Sequence, residues 1–76
     1  MEAHGTQCLL ERGAYGRLKL GERELEDGEE FEVLWQGRWM RGRLEYVWWR
    51  STPRMWCGGC SIDLKVGMQA RRVLEE

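Results

Sequence analysis

The strongest signal in the chain is an alternation of apolar and polar residues on either side of Gln36-Gly37. Phe31-Glu32-Val33-Leu34-Trp35 has the period of a half-buried strand, and Arg38 to Trp49 carries the same period over a longer run. A two-residue turn at Gln36-Gly37 closes the two runs into an antiparallel hairpin and sets its register. Trp35 then faces Arg38, Val33 faces Met40 and Phe31 faces Gly42 on one side of the sheet. On the other side Leu34 faces Trp39, Glu32 faces Arg41 and Glu30 faces Arg43. Opposite charges meet in this register, each such pair contributing about 0.2–1 kcal/mol. A slip of one residue would destroy both the apolar face and the charge match. Gly42 interrupts the long run and predicts a bend or bulge of the kind small barrels need.

Glycines recur every eight or so residues through the rest of the chain, which favours short strands over helices. Cys8 to Glu11 predicts a first strand, Arg12 to Gly16 a turn and Arg17 to Leu20 a second strand. Glu22 to Glu26 has helical propensity but is short and lies between Gly21 and Gly28, and Asp27-Gly28 closes it as a turn. Ser51 to Arg54, with the single proline, reads as a loop. Ile62 to Val66 alternates as another strand, Gly67-Met68 turns, and Gln69 to Leu74 is a last strand or a short helix. The expectation is an all-β fold: a small SH3-like antiparallel barrel of about five strands over residues 8–76, after a flexible N-terminus at residues 1–7. Phe31, Val33, Trp35, Met40, Leu44, Tyr46 and Trp48 would fill its inside, joined by Leu18, Leu20, Ile62 and Leu64.

Composition narrows the function classes. A chain of 76 residues has room for one small domain with a marginal core, which excludes enzymes built from a cofactor half and a substrate half. No run approaches 18 apolar residues, so nothing spans a membrane as a helix. Met1 to Gln7 is polar without a signal-peptide core, and three cysteines suit a reducing compartment, so a cytoplasmic protein is expected. The net charge of −1 conceals a split. Glu22 to Glu32 holds seven acids and one base, whereas Trp35 to Trp56 holds five arginines, one acid and all five tryptophans. Two readings follow: a core built from tryptophan with solvated arginines, or a tryptophan and arginine binding face.

Phe31-Glu32-Val33-Leu34, then Gly37, Trp39, Arg43 and Glu45-Tyr46, form an FEVL-x-x-G-x-W-x-x-x-R-x-E-Y block. This block resembles a family of small bacterial proteins known only as a domain of unknown function. Leu64, Gly67 and Arg71-Arg72 echo that family's last strand, while Trp56-Cys57-Gly58-Gly59-Cys60 replaces its usual W-Y-hydrophobic segment. The resemblance implies a bacterial cytosolic protein, often tied to mobile elements, and transfers no catalytic residue. The block is also similar to the first hairpin of SH3-like and Tudor-like barrels, a fold that many functions share.

Chemistry could reside at Cys57-Gly58-Gly59-Cys60, a C-x-x-C turn that can supply two of the four ligands of a zinc ion. Cys8 and His4 are the candidates for the other two; the alternative is a glycine loop with two inert thiols. A redox C-x-x-C of the thioredoxin kind needs a helix start, and Ser61 to Leu64 reads as strand. His4, the single histidine, lies in the N-terminal arm, and no glycine-rich phosphate loop stands between a strand and a helix, so a non-enzyme is expected with no bound cofactor unless zinc. The binding face would comprise Trp39, Arg41, Trp49, Arg50 and Arg54, beside Leu34. A protein partner ranks first, since tryptophan and arginine dominate interface hot spots. Single-stranded nucleic acid stacked on tryptophan ranks second, and a zinc-stabilised module third. A second copy of the chain, or the N-terminal arm, is the rival cover for the face.

Overall fold

Cross-strand pairing in the central hairpin follows the apolar alternation residue for residue. In the computed structural model, which describes residues 7–47 and 52–73, Glu30–Trp35 (β4) and Arg38–Glu45 (β5) pair antiparallel with Trp35 opposite Arg38, Val33 opposite Met40 and Glu30 opposite Arg43. Gln36 and Gly37 both take positive φ, 51° and 79°, the geometry of a type I′ turn whose twist matches that of the flanking strands. Around this hairpin lie β1 (Cys8–Arg12), β2 (Leu18–Leu20), β3 (Arg23–Glu24), β6 (Arg54–Cys57), β7 (Cys60–Asp63) and β8 (Gln69–Arg72). One 3-10 turn spans Ala14–Gly16.

The strands form one antiparallel sheet in the order β3-β2-β1-β8-β4-β5-β6-β7. It curls because β1 changes partner midway. Cys8 and Leu9 pair with Ala70 and Gln69 of β8, whereas Leu10, Glu11 and Arg12 pair with β2. At the changeover Leu10 donates its N–H to the Met68 carbonyl (2.8 Å) and accepts from Gly67 N–H (2.9 Å). The small antiparallel all-β fold is the expected one. The barrel does not close, since β3 and β7 end the sheet without pairing to each other.

The core inside the curl joins Leu10, Leu18, Leu20, Leu25, Phe31, Val33, Leu44, Met55, Ile62, Leu64 and Ala70. Seven of the residues expected there, Phe31, Val33, Leu44, Leu18, Leu20, Ile62 and Leu64, are buried. Trp35 is a correction: it is 39% exposed, at the end of β4 and two residues beyond Val33, where the pairing with β8 stops. Its ring borders a groove of about 530 Å³ with Ile62 and Met68. Met40 and Tyr46 pack against the core only partly buried. Leu10, Leu25, Met55 and Ala70 take the space, and Trp48 lies outside the described residues.

Other expectations are corrected by backbone hydrogen bonding. Glu22 to Glu26 is no helix; Arg23–Glu24 pairs with β2 as an edge strand. The long run stops at Glu45 because the acidic loop caps it. Gly28 N–H donates to the Leu44 carbonyl (2.7 Å), Leu44 N–H to Glu29 (3.0 Å), and Tyr46 N–H to Asp27 Oδ1 (2.9 Å). Past this cap the alternation lapses, and Val47, which the period of the run from Arg38 to Trp49 puts on the outer face with Glu45, is buried. The Arg54–Cys57 strand was not expected, and the strand expected at Ile62 to Val66 starts earlier, at Cys60.

Tyr46 ties the cap to the curled half of the sheet. Its hydroxyl donates to the Leu25 carbonyl (2.7 Å) and accepts from Leu18 N–H (3.0 Å). Burial, its largest influence, raises the phenol pKa above the ordinary 10.0. The neutral phenol is therefore the form that stabilises the fold, and that contribution falls as pH rises through the ordinary value and above it. Tyr46→Phe would leave a part-buried N–H and C=O without their partner and is expected to cost about 1–3 kcal/mol. A lowered urea midpoint at unchanged m-value would read this loss, and an unchanged midpoint would show that water replaces the hydroxyl.

Candidate functional site

The sheet face turned away from the core carries the alternate residues of four adjacent strands. Pleating puts Glu30, Glu32 and Leu34 of β4 on that face, with Trp39, Arg41, Arg43 and Glu45 of β5 opposite or beside them. Arg54 and Trp56 of β6 pair with Glu45 and Arg43, and Arg71 of β8 pairs with Glu32. No strand among the described residues covers this face.

Two copies of one arrangement stand on it. In the first, the Arg71 guanidinium lies 4.0 Å from the centre of the Trp39 ring, while its Nε donates to Glu32 Oε1 at 2.6 Å. In the second, the Arg54 guanidinium lies 4.9 Å from the centre of the Trp56 ring. Glu45 Oε1 accepts from both Arg54 Nε and Trp56 Nε1, each at 2.7 Å. A carboxylate thus orients an arginine over an indole at each site, and each stack contributes about 0.5–1 kcal/mol when exposed. Between them Arg41 reaches Glu30 and Glu32 only loosely, at 3.9 and 3.8 Å, and remains half exposed. Arg43 donates to the Gly28 carbonyl at 3.2 Å.

Hydrogen bonding by the Trp56 indole, then by Arg54, holds the Glu45 carboxyl below its ordinary pKa of 4.5. A group depressed in the folded state contributes above its unfolded pKa and loses that contribution as pH falls through the folded value. The Trp56 indole N–H resonance is therefore expected to shift on acidification with a midpoint below 4.5, the ordinary carboxylate value. In Glu45→Gln that transition should vanish; its persistence would assign the shift to another acid.

No protein-family model, curated protein or solved structure matches the chain. The face is read from its own chemistry.

The sequence-predicted residues divide by location. Trp39 is half-buried under Arg71, Arg41 lies exposed mid-face, and Arg54 caps the second tryptophan. Trp49 and Arg50 lie outside the described residues, as does His4. Cys57 and Cys60 stand opposite each other across the β6–β7 turn. Cys8 lies on β1, four strands from β6 in the sheet order, and partly buried against the core. Among the described residues no group of three His, Cys, Asp or Glu side chains is placed to hold a metal ion. Trp56 (42% exposed), Arg71 and the bridging role of Glu45 were missed. The signal was present in the spacing: Arg54 and Trp56 are two apart, and Gly58-Gly59 between cysteines has the form of a two-residue hairpin turn.

Proposed function

We propose that this domain is a non-enzymatic, SH3-like bacterial module of the cytoplasm that binds a protein partner through its outer tryptophan and arginine face. The observation that carries this reading is the pair of indoles, Trp39 and Trp56, each held under an arginine on a sheet face that no strand among the described residues covers. Rings fixed in this way lose little conformational freedom on binding, which is what interface anchors need. Carboxylates occupy Arg54 and Arg71, while Arg41 stays half exposed between them. The surface that fits is therefore a folded protein offering an apolar pocket rimmed by Asp or Glu. The same internal pairing disfavours a nucleic acid, because arginines already neutralised by carboxylates displace few counterions from phosphates.

A partner recovered with the wild-type domain, then purified, would be titrated against Trp39→Ala, Trp56→Ala and Arg41→Glu. Either tryptophan change should weaken binding about 30-fold or more, the size of a hot-spot loss. Unchanged affinity in both tryptophan variants, each still folded, would remove this face as the site. Tight oligonucleotide binding that collapses with added salt would replace the protein partner with nucleic acid.

A further inference from the structure

The β6–β7 hairpin carries a second feature, on the sheet side opposite Trp56. Cys57 and Cys60 are direct cross-strand partners flanking the Gly58-Gly59 turn. Both glycines have positive φ, 65° and 96°, so the turn has type I′ form. Residues that flank such a turn face each other with Cα atoms about 5.5 Å apart, inside the window of about 4.4–6.8 Å that a disulfide spans. Being directly opposite, the two side chains leave the sheet on the same side. The Cys60 thiol already reaches back to the Cys57 carbonyl, with its sulfur 3.5 Å from that oxygen. The hairpin includes the edge strand of the sheet, so its end can adjust without disturbing another strand.

We propose that Cys57 and Cys60 are a modification site: a dithiol that closes into a reversible intrachain disulfide by exchange with a low-molecular-weight disulfide such as oxidised glutathione. The two thiols have different positions and therefore different parts. Cys60 is exposed and meets the reagent first, whereas Cys57 is partly buried against the core. The Cys60 sulfur, as thiolate, attacks one sulfur of the reagent and releases one glutathione thiolate, leaving a mixed disulfide. The Cys57 sulfur, having given up its proton to solvent, then attacks the Cys60 sulfur and releases the second. Two protein thiols are oxidised and one glutathione disulfide is reduced to two thiols. Burial, and then the neighbouring Cys60 thiol, raise the Cys57 pKa, which slows the second step and leaves the mixed disulfide as the trappable species. A ring closed over so short a loop gains little chain entropy, so the bond is readily reduced again, the behaviour of a redox-responsive site rather than a structural staple.

The test incubates the intact domain with a series of reduced-to-oxidised glutathione ratios, quenches with an alkylating reagent and maps the products by mass spectrometry. The expected product lacks two thiols, carries no glutathione, leaves Cys8 open to alkylation under denaturing conditions and returns to the dithiol with dithiothreitol. Cys57→Ser should stop at a stable glutathione adduct on Cys60, and Cys60→Ser should lose the rapid adduct. Cys8→Ser should behave as wild type. Stable glutathione adducts as the only products of the wild-type domain, or a disulfide to Cys8 or between chains, would overturn the assignment. Wild-type mapping decides this even where a variant folds poorly.

Discussion

Phe31→Ala is expected to leave no stable folded domain at 25 °C. Phe31 is fully buried on β4, between Gly42 of β5 and Arg72 of β8, at the middle of the curled sheet. Removing a buried phenyl ring costs about 3–5 kcal/mol, the lost transfer free energy plus the cavity left behind. A single core in a domain this small rarely supplies more than about 3–5 kcal/mol in total. The two magnitudes cancel, so the variant should be largely unfolded before denaturant is added. Far-UV circular dichroism with a urea titration reads the outcome, with Phe31→Leu as the milder comparison, retaining a baseline and a measurable midpoint. A Phe31→Ala protein with the wild-type midpoint would place the centre of the core elsewhere.

The features legible in the sequence are those with a local cause. The β4–β5 register was legible because one two-residue turn fixes it and every cross-strand pair agrees with that choice. The exposure of Trp35 was not legible. Alternation puts its side chain on the inward face, but whether anything stands above that face depends on where the curled half of the sheet ends. The length of β5 was hidden for a related reason. Its alternation runs on to Trp49, and the stop comes from Asp27, Gly28 and Glu29 capping the strand from 15 or more residues earlier in the chain. Half of the binding face was legible in the same way, Trp39 and Arg41 from the hairpin itself. Arg71 belongs to β8, and its place over Trp39 follows only from the pairing of β8 with β4. Charge matching across the hairpin was anticipated for Glu32 with Arg41. The tighter partner of Glu32 is Arg71, at 2.6 Å against 3.8 Å, because it approaches from the other neighbouring strand.

Gly42→Ala should be nearly as damaging as the loss of Phe31, for an opposite reason, and should report on the binding face as well. A Cβ at position 42 would lie 2.1 Å from the Trp56 carbonyl oxygen, 2.8 Å from its carbonyl carbon and 2.9 Å from Met55 Cγ. The first two obstacles are backbone, so no rotamer change relieves them. β6 would have to move away from β5 by about 1 Å, at the end of a pairing that sets Arg43 opposite Trp56 and Leu44 opposite Met55. Overpacking of this kind costs about 1–3 kcal/mol where side chains can give way, and more where the backbone must shift. Met55 is fully buried, so its displacement opens the core while the sheet separates. The same shift pulls the Trp56 indole and the Arg54 guanidinium, which ride together on β6, away from the Glu45 carboxylate of β5. The expected result is a urea midpoint well below wild type. In whatever folded fraction remains, the Trp56 indole N–H resonance should lose its response to Glu45 protonation. A Gly42→Ala protein with wild-type stability and an unchanged indole titration would mean that β6 does not cross β5 at this distance, and the second tryptophan site would lose its structural basis.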